Sequence, residues 1–254
     1  MPTPKSRADR TLADFWRSYV DSGRGVFGYV VRNPGDALRA FLAIQRLPFV
    51  YPADHSDTPG GREVGRVIHR KGPLGLPARW WSFAALPVPD SPEDSLKRPE
   101  AKRLRYQLRC ADEENITCRP VDPDERAALL ERANARERVH TNPAYRVDDP
   151  RNDDLLEHDL WFVAQDDTGE PLILAVAATD GEFAVLRYFR TLGDGENHSL
   201  SRYPVHVALV EALAAQRVRW LLDPEPPAAQ KNGVRLFQRI VGFRHVRIRK
   251  PRSR

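Results

Sequence analysis

The residues able to do chemistry in this chain are few and far apart. Its seven histidines show no His-x-x-x-His or similar pairing, and Cys110 and Cys118 lack metal-type spacing. No metal is therefore expected. No serine stands in a Gly-x-Ser-x-Gly turn and no P-loop occurs, so covalent acyl-serine and kinase chemistry fall away. What remains is a scattered set. Asp223 offers a carboxylate that could take a proton or hold an acceptor. Tyr188 offers a donor to an oxyanion or a leaving group, and His198 a proton shuttle. Arg187, Arg190 and Arg202 could hold phosphate, and His158 could orient an acceptor. Each has a plainer alternative. Asp223 could cap a turn before Pro224, His198 could be a surface loop residue, and Tyr188 could simply pack on a strand. The arginines could be surface pairs, and His158 could only open a strand.

A second feature is a run of cations. Arg98, Lys102, Arg105 and Arg109 recur at offsets of four, three and four, a spacing that lines one face of a helix. Leu104 and Leu108 form an apolar stripe beside them. Such a face suits the phosphates of a polyanion; its commoner fate is a solvated charged surface.

These groups need a scaffold, and the most regular stretch is residues 160–190. It reads as three strands: 160–165, then 171–179, then 183–190. Asp166 to Glu170 is turn chemistry. Asp180-Gly181 is a two-residue hairpin signal. In the third strand, alternation would place Phe183, Val185, Arg187 and Phe189 on one face, and Ala184, Leu186, Tyr188 and Arg190 on the other. A polar loop at 193–199 follows, then an apolar helix at 201–216, a short strand at 218–222, a helix at 232–241 stopped by Gly242, and a last strand at 243–249. Upstream, helices are expected at 11–20 and 36–45, with 23–28 an interruption, and strands at 62–70 and 79–88. A proline-rich linker spans 87–99, and Asp122-Pro123 starts a helix reaching about residue 138. The polar stretch at 140–157 reads as a long loop, able to act as a lid. A division is expected between an N-terminal region, 1–95, and a main domain, 96–254.

The order strand, strand, strand, loop, helix, strand, helix, strand resembles the GNAT superfamily of acyltransferases. Its ending, from Asn232 through Leu236-Phe237 to Gly242-Phe243, is similar to the closing helix of that family. The resemblance implies a mixed α/β (α+β) fold, with a largely antiparallel sheet flanked by helices and a reduced N-terminal half. It places the reaction where two central strands splay apart, between the end of the third strand (Tyr188, Arg190) and Asp223. The donor would lie against Gly193, Gly195 and Arg202, and the acceptor near His158, Arg187 and Asn232. The acyl-CoA loop of the family is a basic or Gln residue followed by Gly-x-Gly or Gly-x-Ala, from which Gly193-Asp194-Gly195 departs by carrying an acid, and Gln238 stands where a tyrosine is usual. The basic helix and the strand after it look similar to the passage in Fem-type aminoacyltransferases that leads into their second GNAT-like half. The resemblance therefore implies transfer of an aminoacyl group from aminoacyl-tRNA to an amine of a small molecule or peptide, without a cofactor. An acyl-CoA-dependent N-acyltransferase is the alternative, and a non-catalytic RNA-binding protein of the same fold a third reading.

Composition agrees with an anionic partner. The 254 residues carry a net charge of +5, and only six of the 40 basic residues are lysine. Arginine suits bidentate phosphate contacts, although a GC-rich genome would favour it too. An apolar fraction of 41% is enough for a core. Two unpaired-looking cysteines fit a reducing, cytoplasmic setting, and no run approaches membrane-spanning length, so no membrane partner is expected.

Overall fold

The computed structural model describes residues 6–52, 55–70, 82–227 and 229–249; residues 79–81 of the second expected strand lie outside them. In chain order the elements begin with α1 (Arg7–Asp21), α2 (Val26–Arg32), α3 (Pro34–Gln45), β1 (Phe49–Val50), α4 (Pro59–His69), β2 (Phe83–Pro87) and α5 (Pro92–Lys97). Then come α6 (Lys102–Glu113), β3 (Thr117–Pro120), α7 (Pro123–Arg138), β4 (Leu160–Gln165), β5 (Pro171–Asp180) and β6 (Phe183–Thr191). The chain closes with α8 (Glu196–Leu200), α9 (Arg202–Ala215), β7 (Trp220–Leu222), α10 (Asn232–Val241) and β8 (Arg244–Ile248).

The expected meander is present and occupies one half of an eight-stranded sheet ordered β1-β8-β2-β7-β6-β5-β4-β3. Two neighbouring pairs are parallel, β1 with β8 and β6 with β7; the rest are antiparallel. Every residue from Leu172 to Ala178 is buried, because helices cover β5 on both faces. Ile173, Ala175 and Ala177 pack with Val205, Leu209 and Phe237 of α9 and α10. Leu174 and Val176 pack with Leu129 and Leu130 of α7 on the other side. This is a mixed α/β architecture, a largely antiparallel sheet flanked by helices. The sheet runs across the expected division at residue 95, since β2 lies between β7 and β8.

Several expectations are corrected. Residues 62–69 of the expected strand at 62–70 are helical, within α4, and Arg70 follows the helix end. The alternation of Val64, Arg66 and Ile68 coincides with the helical set Val64, Val67 and Ile68. The helix start decides the matter: Thr58 accepts a hydrogen bond from the Gly61 amide at 3.1 Å and Pro59 fills the first turn. The hairpin turn is shifted by one residue. Asp180 pairs with Phe183, so Gly181 and Glu182 make the turn, and of the two only Gly181 has positive φ, at 55°. The interruption expected at 23–28 ends early, as α2 starts at Val26, and the loop at 193–199 already enters α8 at Glu196. Arg98 is extended and lies outside α6, as expected of a residue held before Pro99.

The two faces of β6 also change places part way along. Val176 pairs with Tyr188 and Ala177 with Leu186, leaving Arg187 as an extra residue. Such a bulge rotates all that follows by one position. Tyr188 therefore joins the α7 face, like Val185 on the α4 side, while Phe189 packs on the α9 and α10 side with Ala184 and Leu186.

Helix α4 lies so close to β5 that a Cβ on Gly60 would meet the Thr179 carbonyl oxygen at 2.0 Å. Gly60→Ala should therefore destabilise the fold by about 2–3 kcal/mol, read as a lower denaturation midpoint. Gly28→Ala, in open space within α2, should be neutral or stabilising by about 0.4–1 kcal/mol.

Candidate active site

Strand β7 is short because Asp223-Pro224 ends it. Its three residues pair with Phe183, Ala184 and Val185, and the Asp223 amide then donates to Ala84 on β2 at 3.0 Å. Beyond Val185, β6 continues to Thr191 with β5 on one edge and, among the described residues, no strand on the other. The splay opens a cleft of about 710 Å3. Its walls come from 186–191, the turn at Asp223, α10, the segment 193–202, the end of α7 and the loop after it.

Asp223, Tyr188, His198, Arg190, Gly193, Gly195 and Arg202 all line this cleft, as does Arg187. Asp223 is 9% exposed. Its Oδ2 accepts from Gln238 Nε2 at 2.6 Å and its Oδ1 from the Glu225 amide at 2.7 Å. Burial, helped by the nearby Glu225 charge, pushes its carboxyl up to about 6, while these hydrogen bonds hold it back. The Arg70 guanidinium donates to the neighbouring Pro224 carbonyl.

Tyr188 is 4% exposed. Burial raises its phenol, as does the carboxylate of Glu137, with which its side chain is hydrogen-bonded. Glu137 escaped the sequence reading. It sits between Arg136 and Arg138 in a charged helix end, where nothing marks it from a solvated residue. Its side chain is buried, 3.3 Å from Arg190 Nε and 3.4 Å from Asn152 Nδ2. Tyr188 is thus committed to a carboxylate on the α7 face. His198 fills the space a side chain at Gly193 would need: a Cβ there would lie 2.3 Å from its Nε2. Burial lowers the His198 pKa, which keeps the imidazole neutral at pH 7.

The cleft has cations to spare. Arg202 forms no ion pair among the described residues, and burial lowers its pKa. Lys231 lies with Nζ 3.2 Å from the Tyr145 ring centre. Arg136 is paired with Asp194. Arg187 is engaged, its Nε and Nη2 donating to Asp154 at 2.7 and 2.8 Å.

Other expected site residues lie elsewhere. His158 is buried outside the cleft walls, with its Nε2 unpartnered, and burial lowers its pKa. Its carbonyl accepts from Trp161 Nε1 at 2.9 Å, so it anchors the start of β4. Asn232 donates to Asp21 at 2.8 Å, tying α10 to α1. The cationic stripe is partly consumed. Arg105 donates to the Leu96 carbonyl and, at 2.7 Å, to that of Arg98. Arg109 lies 3.6 Å from Glu113 and over the Tyr106 ring. Lys102 is exposed. Among the described residues no cluster of His, Cys, Asp and Glu could hold a metal, and no helix is long and apolar enough to cross a membrane.

No family model matches the chain, and no curated protein matches it. Among solved structures it is similar to the C-terminal domain of a protein described as a lysylphosphatidylglycerol synthetase from Agrobacterium fabrum. The identity is 14% and the TM-score 0.41, over 56% of this chain and 45% of that one. The chain thus spans less than half the length of that structure.

Asp223 gives a test of the site's electrostatics. Its folded-state carboxyl, raised from 3.8 to about 6, favours the folded protein below pH 3.8, and that contribution is lost as pH rises through about 6. Two pK units correspond to ~3 kcal/mol. Asp223→Asn, with the Gln238 amide reversed to meet it, should be more stable than the parent by up to that amount at pH 8. The advantage should vanish at pH 4, as measured by denaturant melts at both pH values.

Proposed function

We propose that the cleft at the splay of β6 and β7 is an acyl-transfer site, taking an aminoacyl group from aminoacyl-tRNA to an amine of a small molecule or peptide. The observation that carries this reading is the pairing of opposites in one cleft: a buried carboxylate at Asp223, with its pKa near 6, and the unpaired, half-buried guanidinium of Arg202. The carboxylate can take the proton that an ammonium acceptor must lose. The guanidinium, with Arg190 and Lys231, suits the phosphates of the donor. In the step itself the ammonium's first proton, taken by Asp223, leaves to solvent; the amine nitrogen then bonds to the ester carbonyl carbon, the carbonyl–ribose oxygen bond breaks, and the nitrogen's second proton passes by way of Asp223 to the leaving oxygen. His198, neutral at pH 7, can relay it. Tyr188 serves as a positioning residue through Glu137 and Arg190.

The alternative donor, acyl-CoA, would need its pyrophosphate at Gly193 to Gly195. There His198 fills the space at Gly193, and Asp194 and Glu196 add negative charge, which favours the first reading. Phosphate contacts are assigned to the cleft, with Lys102 of α6 as an outlying contributor.

Transfer assays with charged tRNA and with acyl-CoA, run side by side, test the proposal. With charged tRNA, Asp223→Asn should lower kcat by about 10²–10⁴-fold, and the parent's rate should rise with pH through about 6 as the base ionises. Arg202→Ala should weaken tRNA binding and reduce the log–log salt slope by about 0.7–0.9. Turnover with acyl-CoA alone would establish the second reading. RNA binding without any turnover would establish a non-catalytic protein.

A further inference from the structure

Helix α1 is tied down at its two ends. Asp9 in its first turn accepts the backbone N–H of His245 on β8 at 2.9 Å. Asp21, its last residue, accepts from the Asn232 side chain at the start of α10 at 2.8 Å. Between these ties lies a second cavity of about 580 Å3, against α10 and remote from the α7 side of the cleft. Ala13 and Trp16 of α1 line it, with Leu236 of α10 and Phe243, so much of its wall is apolar.

The wall includes the carboxylates of Asp9, Asp14 and Asp21, but its unpartnered buried polar atoms are of one kind. Trp16 Nε1, Arg235 Nε and Nη1, and Arg244 Nε are all buried without a hydrogen-bond partner among the described residues, and all are donors. The side chains bearing them line the cavity. Arg235 keeps one contact, from Nη2 to the Pro227 carbonyl at 2.6 Å. Burial pushes its pKa down to about 10, and the nearby Tyr19 and Asp21 offset that only in part. The carboxylates nearby are already engaged. Asp9 also caps α1 through Ser6, Asp21 holds Asn232, and Asp14 lies 3.8 Å from Arg17. Buried polar groups are normally satisfied, and four unmatched donors beside one apolar cavity call for acceptors from outside the chain.

We propose that the cavity between α1 and α10 binds an amphipathic anion, a carboxylate or phosphate on an apolar body, with the head group at Arg235 and the apolar part beside Trp16 and Leu236. This site does not depend on the transfer reaction. Gln238 and Phe243 stand in the wall common to cavity and cleft, whereas Asp223 lines only the cleft. Since Gln238 also holds the Asp223 carboxylate, occupancy of the cavity would bear on the cleft through that one side chain.

Titration calorimetry of the full chain with decanoate, decyl phosphate, decanol, decylammonium and inorganic phosphate tests the proposal. Decanoate and decyl phosphate should each bind at one equivalent, decanol at least about tenfold more weakly, and decylammonium not at all. Inorganic phosphate binding as tightly as decyl phosphate would identify a free-anion site and overturn the amphipathic assignment. Arg235→Met, which keeps the apolar stem, should weaken decanoate at least about tenfold. Ala13→Phe should abolish binding by filling the cavity with Arg235 intact, and circular dichroism checks that both variants fold. Absence of binding by either amphiphile up to about 1 mM overturns the proposal. So does decanol matching decanoate, or affinity unchanged in a folded Arg235→Met or Ala13→Phe variant.

Discussion

The cleft depends on one limit to strand pairing. Strands β6 and β7 run side by side for three residue pairs and then part, because Asp223-Pro224 turns the chain towards β2. A parallel pair that stopped later would close the sheet and leave no space. One that never formed would leave β6 an open edge. The short pairing fixes Asp223 at one rim, and the bulge at Arg187 turns Tyr188 and Arg190 towards α7 at the other. The glycine at position 193 then lets His198 fold back against the segment that follows β6. Local rules at four places, a proline, a bulge, a glycine and a strand end, thus build a single cavity.

Burial does the rest. Asp223 is raised towards neutral pH and His198 is lowered, both by loss of water. At pH 7 the cleft therefore holds a carboxylate and a neutral imidazole, two groups able to accept a proton. Around them stand guanidinium groups in excess of carboxylates. Glu137 balances Arg190 and engages Tyr188, whereas Arg202 keeps its charge unmatched. Proton acceptors beside positive charge are what the proposed reading calls for: charge to hold an anionic donor and a base to deprotonate the acceptor.

Much of the sheet was legible in the sequence, and the reasons are local. The meander announced itself because its apolar runs are bounded by Asp-Gly and Asp-Thr-Gly turns. Helix α10 and its glycine stop were legible to the residue, and α7 through its acidic cap and first-turn proline, Asp122-Pro123; the structure adds a capping box with Glu125. The 62–70 segment was misread because its apolar positions satisfy both periods; the Thr58-Pro59 cap was the signal to weigh. The bulge left no trace in the pattern, since Arg187 takes its alternating place as well as any residue. The place of Asp223 just past the end of a strand was legible because Asp223-Pro224 stops the apolar run before it. Gln238 looked like a missing tyrosine, yet it secures that carboxylate from the next helix. Glu137 was invisible because its burial is produced by the Asn152 loop folding over it, a contact between segments that no local rule foretells. One member of the cationic stripe was misplaced for a readable reason: Pro99 keeps Arg98 off the helix that carries Lys102, Arg105 and Arg109.

The position of β2 has a consequence for how the chain is made. Its neighbours in the sheet are β7 and β8, so β2 emerges from the ribosome with both of its partners still to be synthesised. The first of them, starting at Trp220, follows the end of β2 at Pro87 by 220 − 87 = 133 residues. At about 5–20 residues per second this means a wait of roughly 7–27 s. During that interval Phe83, Ala84, Ala85 and Leu86, all buried once the sheet closes, have no strand to join. The meander can assemble as it is translated, but the half of the sheet that includes the rim at Asp223 can close only after the last helix and strand have appeared.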